Sequence, residues 1–372
     1  MNIEQDKIRE MVETFVEECV LPISTECDAI EKYPVELIKQ MGELGFLCPH
    51  IPMEYGGSEL DYKSIGIINE VIGGASASVR SILTVQGMVA LAIYKYGTEN
   101  QKKKWLPKLS KGEIVGGFAL AEENAGSDSS NLETIYQATE NGYRISGKKI
   151  WVTMGQISNL FLVFAKKDSK FTAFLVERSR NGVEIEPVKG LLGLRATDVA
   201  DVTFSDVMIP QENILGNEGV ALRFMVPTCL DYGRFTVAWG YVGVSQACVS
   251  DCFSYVERRE QFGSKIKDFE MIQSFLAQMI ALTKAGRLMC INAAECLDTG
   301  DFNSIYETCL AKYFVSKACN KIAAMAVQVM GSNGCKKTYA VERYFRDAKI
   351  SEIIEGSSQI LEILLANNYF GE

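Results

Sequence analysis

The feature that most constrains this chain is its apolar period, which changes twice. From the N-terminus, apolar residues recur at helical spacing, as in IEQDKIREMVETFVEECV and in VELIKQMGELGF after Pro34. KSIGIINEVIGG and VQGMVALAIYKYG read as further apolar helices, each stopped by glycine. From about Gly116 to Gly219 the pattern turns to short β-type runs: GYRISGKKIWVTM, NLFLVFAKKD, KFTAFLVERS, GVEIEPV and DVTFSDVMI. Gly, Asn, Asp and Ser turn signals separate them. After Pro227 there is no further proline, and long stretches such as MIQSFLAQMIALTKAGRLMCINAAECL return to the helical period. A chain of 372 residues suits two or three packed units. The expected division is a helical domain over 1–115, a β domain over 116–221 and a helical bundle over 222–372. No internal repeat or low-complexity segment interrupts it.

Composition removes several classes of function. Hydrophobic residues at 47% against 23% charged describe a folded globular protein. A net charge of −9 argues against nucleic acid, which needs clustered Lys and Arg. The one basic run, Lys102 to Lys104 before Trp105, reads as a solvated helix face. No apolar run approaches the roughly 20 residues that span a bilayer, so no membrane span is expected. The N-terminal MNIEQDKIREMVETF is acidic and amphipathic, unlike a signal or transit peptide, and a cytoplasmic address is the expectation. The eleven cysteines are odd in number and contain no C-x-x-C, which favours reduced cysteines used as small core residues. Cys248 and Cys252 would share one helix face. The single histidine, His50, argues against a Ser-His-Asp triad and against a histidine-rich metal site, and no metal is expected. An enzyme of this composition would take a carboxylate as its base and leave electron chemistry to a cofactor.

Three segments look unlike simple packing. FALAEENAGSDSSN, starting at Phe118, places Gly126, Ser127 and Asp128 where the backbone can approach a ligand and offer N–H and hydroxyl donors. It suits a flavin edge or a phosphate, or else is an ordinary β turn. In KKIWVTMG, Trp151 and Thr153 lie two apart on an expected strand and so share a face. There they could stack on and hydrogen-bond to a planar heterocycle, unless the indole is simply core. In RDAKISEIIEGSSQILEILLA, a helix is expected to run to Ile353, Ile354 and Glu355 and stop at Gly356, with Ser357 or Ser358 capping the next. A glutamate at that break is either a solvated helix end or a poorly solvated base, since desolvation raises a carboxylate pKa toward working pH.

Taken together the chain resembles the acyl-CoA dehydrogenase family over essentially its whole length. HIPMEYGG, YGTENQKKKWLPKLSKGE, AEENAGSD, GKKIWVTMG, RREQFG and RDAKISEIIEGSSQI occur in the family's order. The resemblance implies a mainly α fold with a central β-barrel-like domain between a helical N-terminal domain and a C-terminal four-helix bundle. It implies FAD as cofactor and Glu355 as catalytic base. The other glutamate position used in the family is Gly233 here. It implies that Trp151 and Thr153 lie on the flavin ring and that Phe118, Leu120, Ala121, Gly126 and Ser127 line it. It further implies that Arg259, Phe262, Gln328 and Gly331 reach the FAD diphosphate and adenosine of a neighbouring subunit, with Ser357 and Gln359 following the base. A shared site of that kind implies a homodimer or homotetramer.

Two positions depart from the family pattern. Ala121-Glu122-Glu123 stands where Thr-Glu-Pro is usual, which removes a hydroxyl from the flavin's pyrimidine edge, and Glu270 replaces a common glutamine. SVRSILTVQ and AWG resemble the glutaryl-CoA dehydrogenase branch. LDYGRFTVAWGYVG with EIIEGSSQI resembles most closely a smaller branch that acts on hydroxymalonyl- or aminomalonyl-type groups tethered to acyl carrier proteins. That carrier-bound acyl group is the first expectation, and a short-chain or glutaryl-type CoA thioester the alternative. Arg80, Ser127, Asp231, Arg234 and Gly356 are the implied substrate contacts, Arg80 being otherwise a helix-to-core salt bridge. The implied electron acceptor is a flavoprotein or, alternatively, oxygen. In the family reaction Glu355 takes the α-proton while a β-hydride passes to flavin N5.

Overall fold

The computed structural model describes residues 3–370, and in it the three periods form three packed layers. The first is helical: α1 (Ile3–Phe15), α2 (Leu21–Ile30), α3 (Glu36–Glu43), α4 (Tyr62–Ala75), α5 (Ala77–Tyr96) and α6 (Glu99–Ser110). Local chemistry sets the starts. Asp61 caps α4 by accepting from the Ser64 N–H at 2.6 Å, and Ser76 caps α5 by accepting from Val79. Thr98 and Gln101 close a reciprocal capping box on α6. The glycine pair expected to stop α4 does not stop it. A Cβ on Gly73 would lie 2.8 Å from the Gly240 Cα, so these glycines let α4 run against the backbone of a later helix, and Ser76 ends the helix instead. α5 also corrects the expectation about apolar runs, being long and apolar enough to cross a membrane. It is almost wholly buried within the protein, with Arg80 on its inner face, and serves as a core helix.

The middle layer is one sheet. Its strands are β1 (Gly116–Ala119), β2 (Ile135–Thr139), β3 (Gly142–Val152), β4 (Leu160–Lys167), β5 (Lys170–Glu177), β6 (Val183–Pro187), β7 (Ala200–Ile209) and β8 (Ile214–Leu215). Their order is β6-β7-β3-β2-β4-β5-β8, with β1 added parallel to β4. β4 reads LFLVFA without alternation because both of its faces are buried. Leu160, Leu162 and Phe164 pack toward α5 and α6, while Phe161, Val163 and Ala165 join Phe174 and Phe204 on the other side.

The last layer is α7 (Val226–Val256), a short hairpin of β9 (Glu260–Gln261) and β10 (Ser264–Lys265), then α8 (Glu270–Thr299), α9 (Ser304–Met330), α10 (Val341–Ser351) and α11 (Ser358–Phe370). α7 is buried on nearly all sides, packed between α4 and α5 of the first layer and α8 and α9 of its own. Cys248 and Cys252 lie inside it, and all eleven cysteines are free, most of them buried. α8 keeps an exposed apolar edge that includes Met271, Ile280 and Leu288.

Candidate active site

α10 ends at Ser351, four residues earlier than its sequence suggested, and the chain turns through 352–355. Glu355 has φ +53° and Gly356 φ +92°, two successive left-handed residues of which the first is not glycine. Side chains from two helices hold this backbone. Arg234 Nε on α7 donates to the Glu355 carbonyl at 3.2 Å, and Lys312 Nζ on α9 donates to the Gly356 carbonyl at 2.6 Å. Ser357 then caps α11, its Oγ accepting from the Ile360 N–H at 3.3 Å.

The turn sends the Glu355 side chain inward onto α7. A Cβ on Gly233 would lie 2.6 Å from the Glu355 Cδ and 3.2 Å from Met88 Sδ, so a side chain at 233 and this carboxylate exclude each other. Glu355 as a whole is half-buried, but its Oε2 is buried and has no hydrogen-bond partner. Burial pushes its pKa up to about 7, against the opposing charges of Arg234, Lys312 and Arg80.

Further unpartnered polar atoms lie on α5, on α7 and on His50 in the segment between α3 and α4. Arg80 is 1% exposed. Its Nη1 donates to Thr84 Oγ1 at 2.7 Å, Thr84 pairs with Thr236 at 2.8 Å, and Nε has no partner. Gly240 makes room for it, since a Cβ there would lie 2.6 Å from Arg80 Nε. Among the described residues no carboxylate stands within ion-pairing distance of Arg80, so the alternative of a structural salt bridge is excluded. Asp231 is buried with Oδ1 unpartnered; burial outweighs Arg234 and pushes its pKa up to about 7. The Tyr232 hydroxyl is also unpartnered, and its ring lies 4.5 Å from that of His50. Both His50 nitrogens lack partners, and burial, with Lys95 beside it, lowers its pKa to about 3. Buried polar atoms are almost always hydrogen-bonded. Of these groups Arg80 acts on Glu355 across the same interior, and two such buried exceptions facing each other mark a place built to receive a polar ligand.

The segments expected at the flavin gather at the end of the sheet. Ala121 accepts from the Ile150 N–H at 2.9 Å, which ties the end of β1, with Phe118, and the loop after it, with Leu120, to the segment carrying Trp151. Beneath them Lys149 Nζ meets Glu122 Oε1 at 2.6 Å and the Leu120 carbonyl at 3.2 Å, while Glu122 also accepts from the Glu133 and Thr134 N–H groups. Trp151 and Thr153 do not share a strand face as expected. The β3–β7 register shifts between Lys149 and Val152, Trp151 has φ +58°, and Thr153 lies just past the strand end. The indole is left 59% exposed on left-handed backbone. Gly126 and Ser127 are exposed, and nothing lies within 4 Å of a Cβ built on Gly126. An exposed flat side chain beside an open glycine loop fits a planar cofactor.

Arg259, Phe262, Gln328 and Gly331 fall elsewhere, together on one exposed end of the bundle. Tyr255 joins their two segments, its carbonyl accepting from the Arg259 N–H at 3.0 Å and its hydroxyl contacting the Met330 carbonyl at 3.4 Å. Phe262 is 96% exposed with φ +53°. Gln359 is exposed on α11, and Glu270 is exposed at the start of α8. Sequence reasoning missed Lys312 altogether. A signal was present: it falls in the stripe Thr308, Cys309, Ala311, Val315, Ser316 and Cys319 that α9 turns to the core.

A helical–β–helical fold with a desolvated carboxylate facing inward and a planar-cofactor cradle at the sheet's end defines a class of flavin-dependent oxidoreductases. The chain belongs to the acyl-CoA dehydrogenase family: the family's N-terminal domain matches residues 2–113, its middle domain 117–207 and its C-terminal domain 223–370. It is 33% identical to the short-chain-specific acyl-CoA dehydrogenase of Clostridium acetobutylicum, over 99% of this chain and 98% of that one. It superposes on a glutaryl-CoA dehydrogenase solved as its glutaryl-CoA complex with a TM-score of 0.97, at 32% identity, covering 100% of this chain and 96% of that one. FkbI, solved for its part in biosynthesis of the methoxymalonyl extender unit of the Fk520 polyketide, gives 0.90 at 29% identity, covering 98% and 99%. The protein is therefore an oxidoreductase of CH–CH groups that uses FAD.

Proposed function

We propose that this chain oxidises short acyl-CoA thioesters at the α,β-carbons, with Glu355 as the base and Arg80 facing a polar or anionic acyl end. The observation that carries the reading is Glu355 Oε2, buried and unpartnered over Gly233. A carboxylate whose pKa is raised to about 7 is both ionised enough to act near neutrality and basic enough to take a weakly acidic proton. Trp151, Thr153 and the Phe118–Ser127 loop would hold the FAD, which supplies a hydride acceptor at its N5. The Glu355 N–H is the donor we assign to the thioester oxygen, where a preorganised donor contributes roughly 3–4 kcal/mol as enolate charge develops. Arg234 fixes the turn that aims Glu355, and with Asp231 and Gly356 it borders the substrate.

Arg80 gives the substrate its expected character. A buried guanidinium with a hydroxyl partner and no carboxylate within ion-pairing distance is stabilised by an anionic group brought to it. The likeness to the short-chain and glutaryl-CoA enzymes supports CoA as the carrier, which reverses the order drawn from sequence alone. The likeness to FkbI supports the carrier-protein alternative at lower similarity. We assign an electron-transferring flavoprotein as acceptor in preference to oxygen. The exposed patch of Arg259, Phe262, Gln328 and Gly331 would reach the FAD of a second copy.

The test is anaerobic bleaching of the bound flavin by butyryl-CoA, glutaryl-CoA and the same acyl groups on an acyl carrier protein. CoA esters should bleach it, and Arg80→Gln should slow glutaryl-CoA far more than butyryl-CoA. Bleaching by carrier-bound groups alone would overturn the choice of CoA.

A further inference from the structure

Lys312 is an unusual place for a charge. Its side chain is wholly buried, on the core-facing stripe of α9. Burying an ammonium is costly unless it is paired or richly hydrogen-bonded. Yet among the described residues no carboxylate lies within ion-pairing distance, and its hydrogen bond goes to the Gly356 carbonyl at 2.6 Å. The peptide it grips directly follows Glu355, in a turn whose two central residues are both left-handed.

We propose that Lys312 is a positioning residue for the base, its ammonium holding the 355–356 turn and its charge keeping Glu355 ionised in the working pH range. This rests on Glu355 being the base. Both groups are dominated by burial, which pushes Glu355 up to about 7 and lowers Lys312 to about 8, while each charge favours the other. Glu355 is faced by Arg80 from α5, by Cys229 and Arg234 from α7, and by Lys312 from α9. Lys312 is faced by Glu355, by Arg234 from α7, by Cys309 from its own helix and by Glu352 beyond α10. Arg234 already carries one clamp on the Glu355 carbonyl, so the two cations divide the turn between adjacent carbonyls.

The sign follows from charge alone. Removing a cation near a carboxylate raises the carboxylate's pKa and depletes the basic form at neutral pH. One nearby opposite charge lowers a carboxylate pKa by about 1–3 units. Lys312→Met should therefore move the pH midpoint of single-turnover flavin bleaching upward by about one unit, a rate loss of about tenfold below the midpoint. Lys312→Gln, which keeps a donor for Gly356 but carries no charge, should show the same upward shift with a smaller loss of the pH-independent maximum. Lys312→Arg should restore the wild-type midpoint.

The experiment is bleaching of the FAD-loaded variants across pH, alongside flavin content and thermal midpoint. If Lys312→Met fails to fold, Lys312→Gln decides the matter. An unshifted midpoint in the folded, flavin-loaded uncharged variants overturns the proposal. Full bleaching by Glu355→Gln would instead remove the reading beneath it, whatever the Lys312 variants do. The two failures are therefore told apart.

Discussion

A carboxylate held out of water with one oxygen unpartnered favours its neutral form, and at Glu355 that cost has readable consequences. Bleaching should rise with pH through a midpoint near 7, because only the ionised form accepts the proton. Stability should respond in the opposite sense. The folded pKa is raised above the unfolded one, so the folded state binds the extra proton, and stability falls as pH rises from about 4.5 through 7. Glu355→Gln should consequently raise the thermal midpoint at pH 8 and leave it nearly unchanged at pH 4. Gly233→Ala puts a methyl against the Glu355 carboxyl, and the displaced base should cost roughly a hundredfold in bleaching rate with FAD content intact. Glu355 and Gly233 were singled out only through the family resemblance, because the segment around Glu355 reads equally as a solvated helix end and Gly233 carries no local signal of its own. Lys312 was not, since a single lysine in a long helix reads as surface unless its neighbours at i−4, i+3 and i+4 are weighed together. The left-handed backbone at Glu355 also had no signal, because nothing in IIEGSS distinguishes a helix that stops at Gly356 from one that stops at Ser351.

At the scale of elements, the loop proposed to line the flavin is anchored by one buried ion pair. Glu122 is pushed up by burial but held below the usual carboxylate range by Lys149 and the Thr134 and Glu133 N–H groups. Lys149 is lowered to about 8 by burial. Glu122→Gln leaves that ammonium without its partner, and breaking a buried pair costs about 3–5 kcal/mol. Thermal unfolding should record the loss, and the purified protein should carry less FAD, because the 118–134 loop loses its anchor. The period-2 rule placed β3 correctly and misplaced its last residues, where a bulge and the left-handed Trp151 break the alternation on which it depends. The glycines of α4 misled for a related reason. Gly73 looks like a stop when read locally, and only the approach of α7 shows it to be a packing device.

Over the whole molecule, the order of helical, β and helical layers was legible because hydrophobic period is written along the chain. How the layers join was not, because the joints connect residues far apart in sequence. Arg346 on α10 pairs with Asp28 on α2 at 2.7 Å and with Glu342 at 2.8 Å, and it reaches the Leu192 carbonyl of the middle layer at 3.3 Å. Arg195 meets Glu31 at 2.5 Å, and Asp347 accepts from the Leu194 N–H at 2.7 Å. All three layers therefore meet on the helix that leads into Glu355. Arg346→Ala should lower stability by about 2 kcal/mol in thermal or urea unfolding. It should also slow bleaching without touching the substrate, since α10 leads directly into the turn that carries Glu355. The central claim, that this fold presents one desolvated carboxylate to a thioester beside a bound flavin, is tested most directly by mixing FAD-loaded Glu355→Gln anaerobically with an acyl-CoA that bleaches the wild type. The expected result is a yellow, folded protein whose flavin fails to bleach, with a rate loss on the order of 100- to 10,000-fold. Bleaching at the wild-type rate would contradict it.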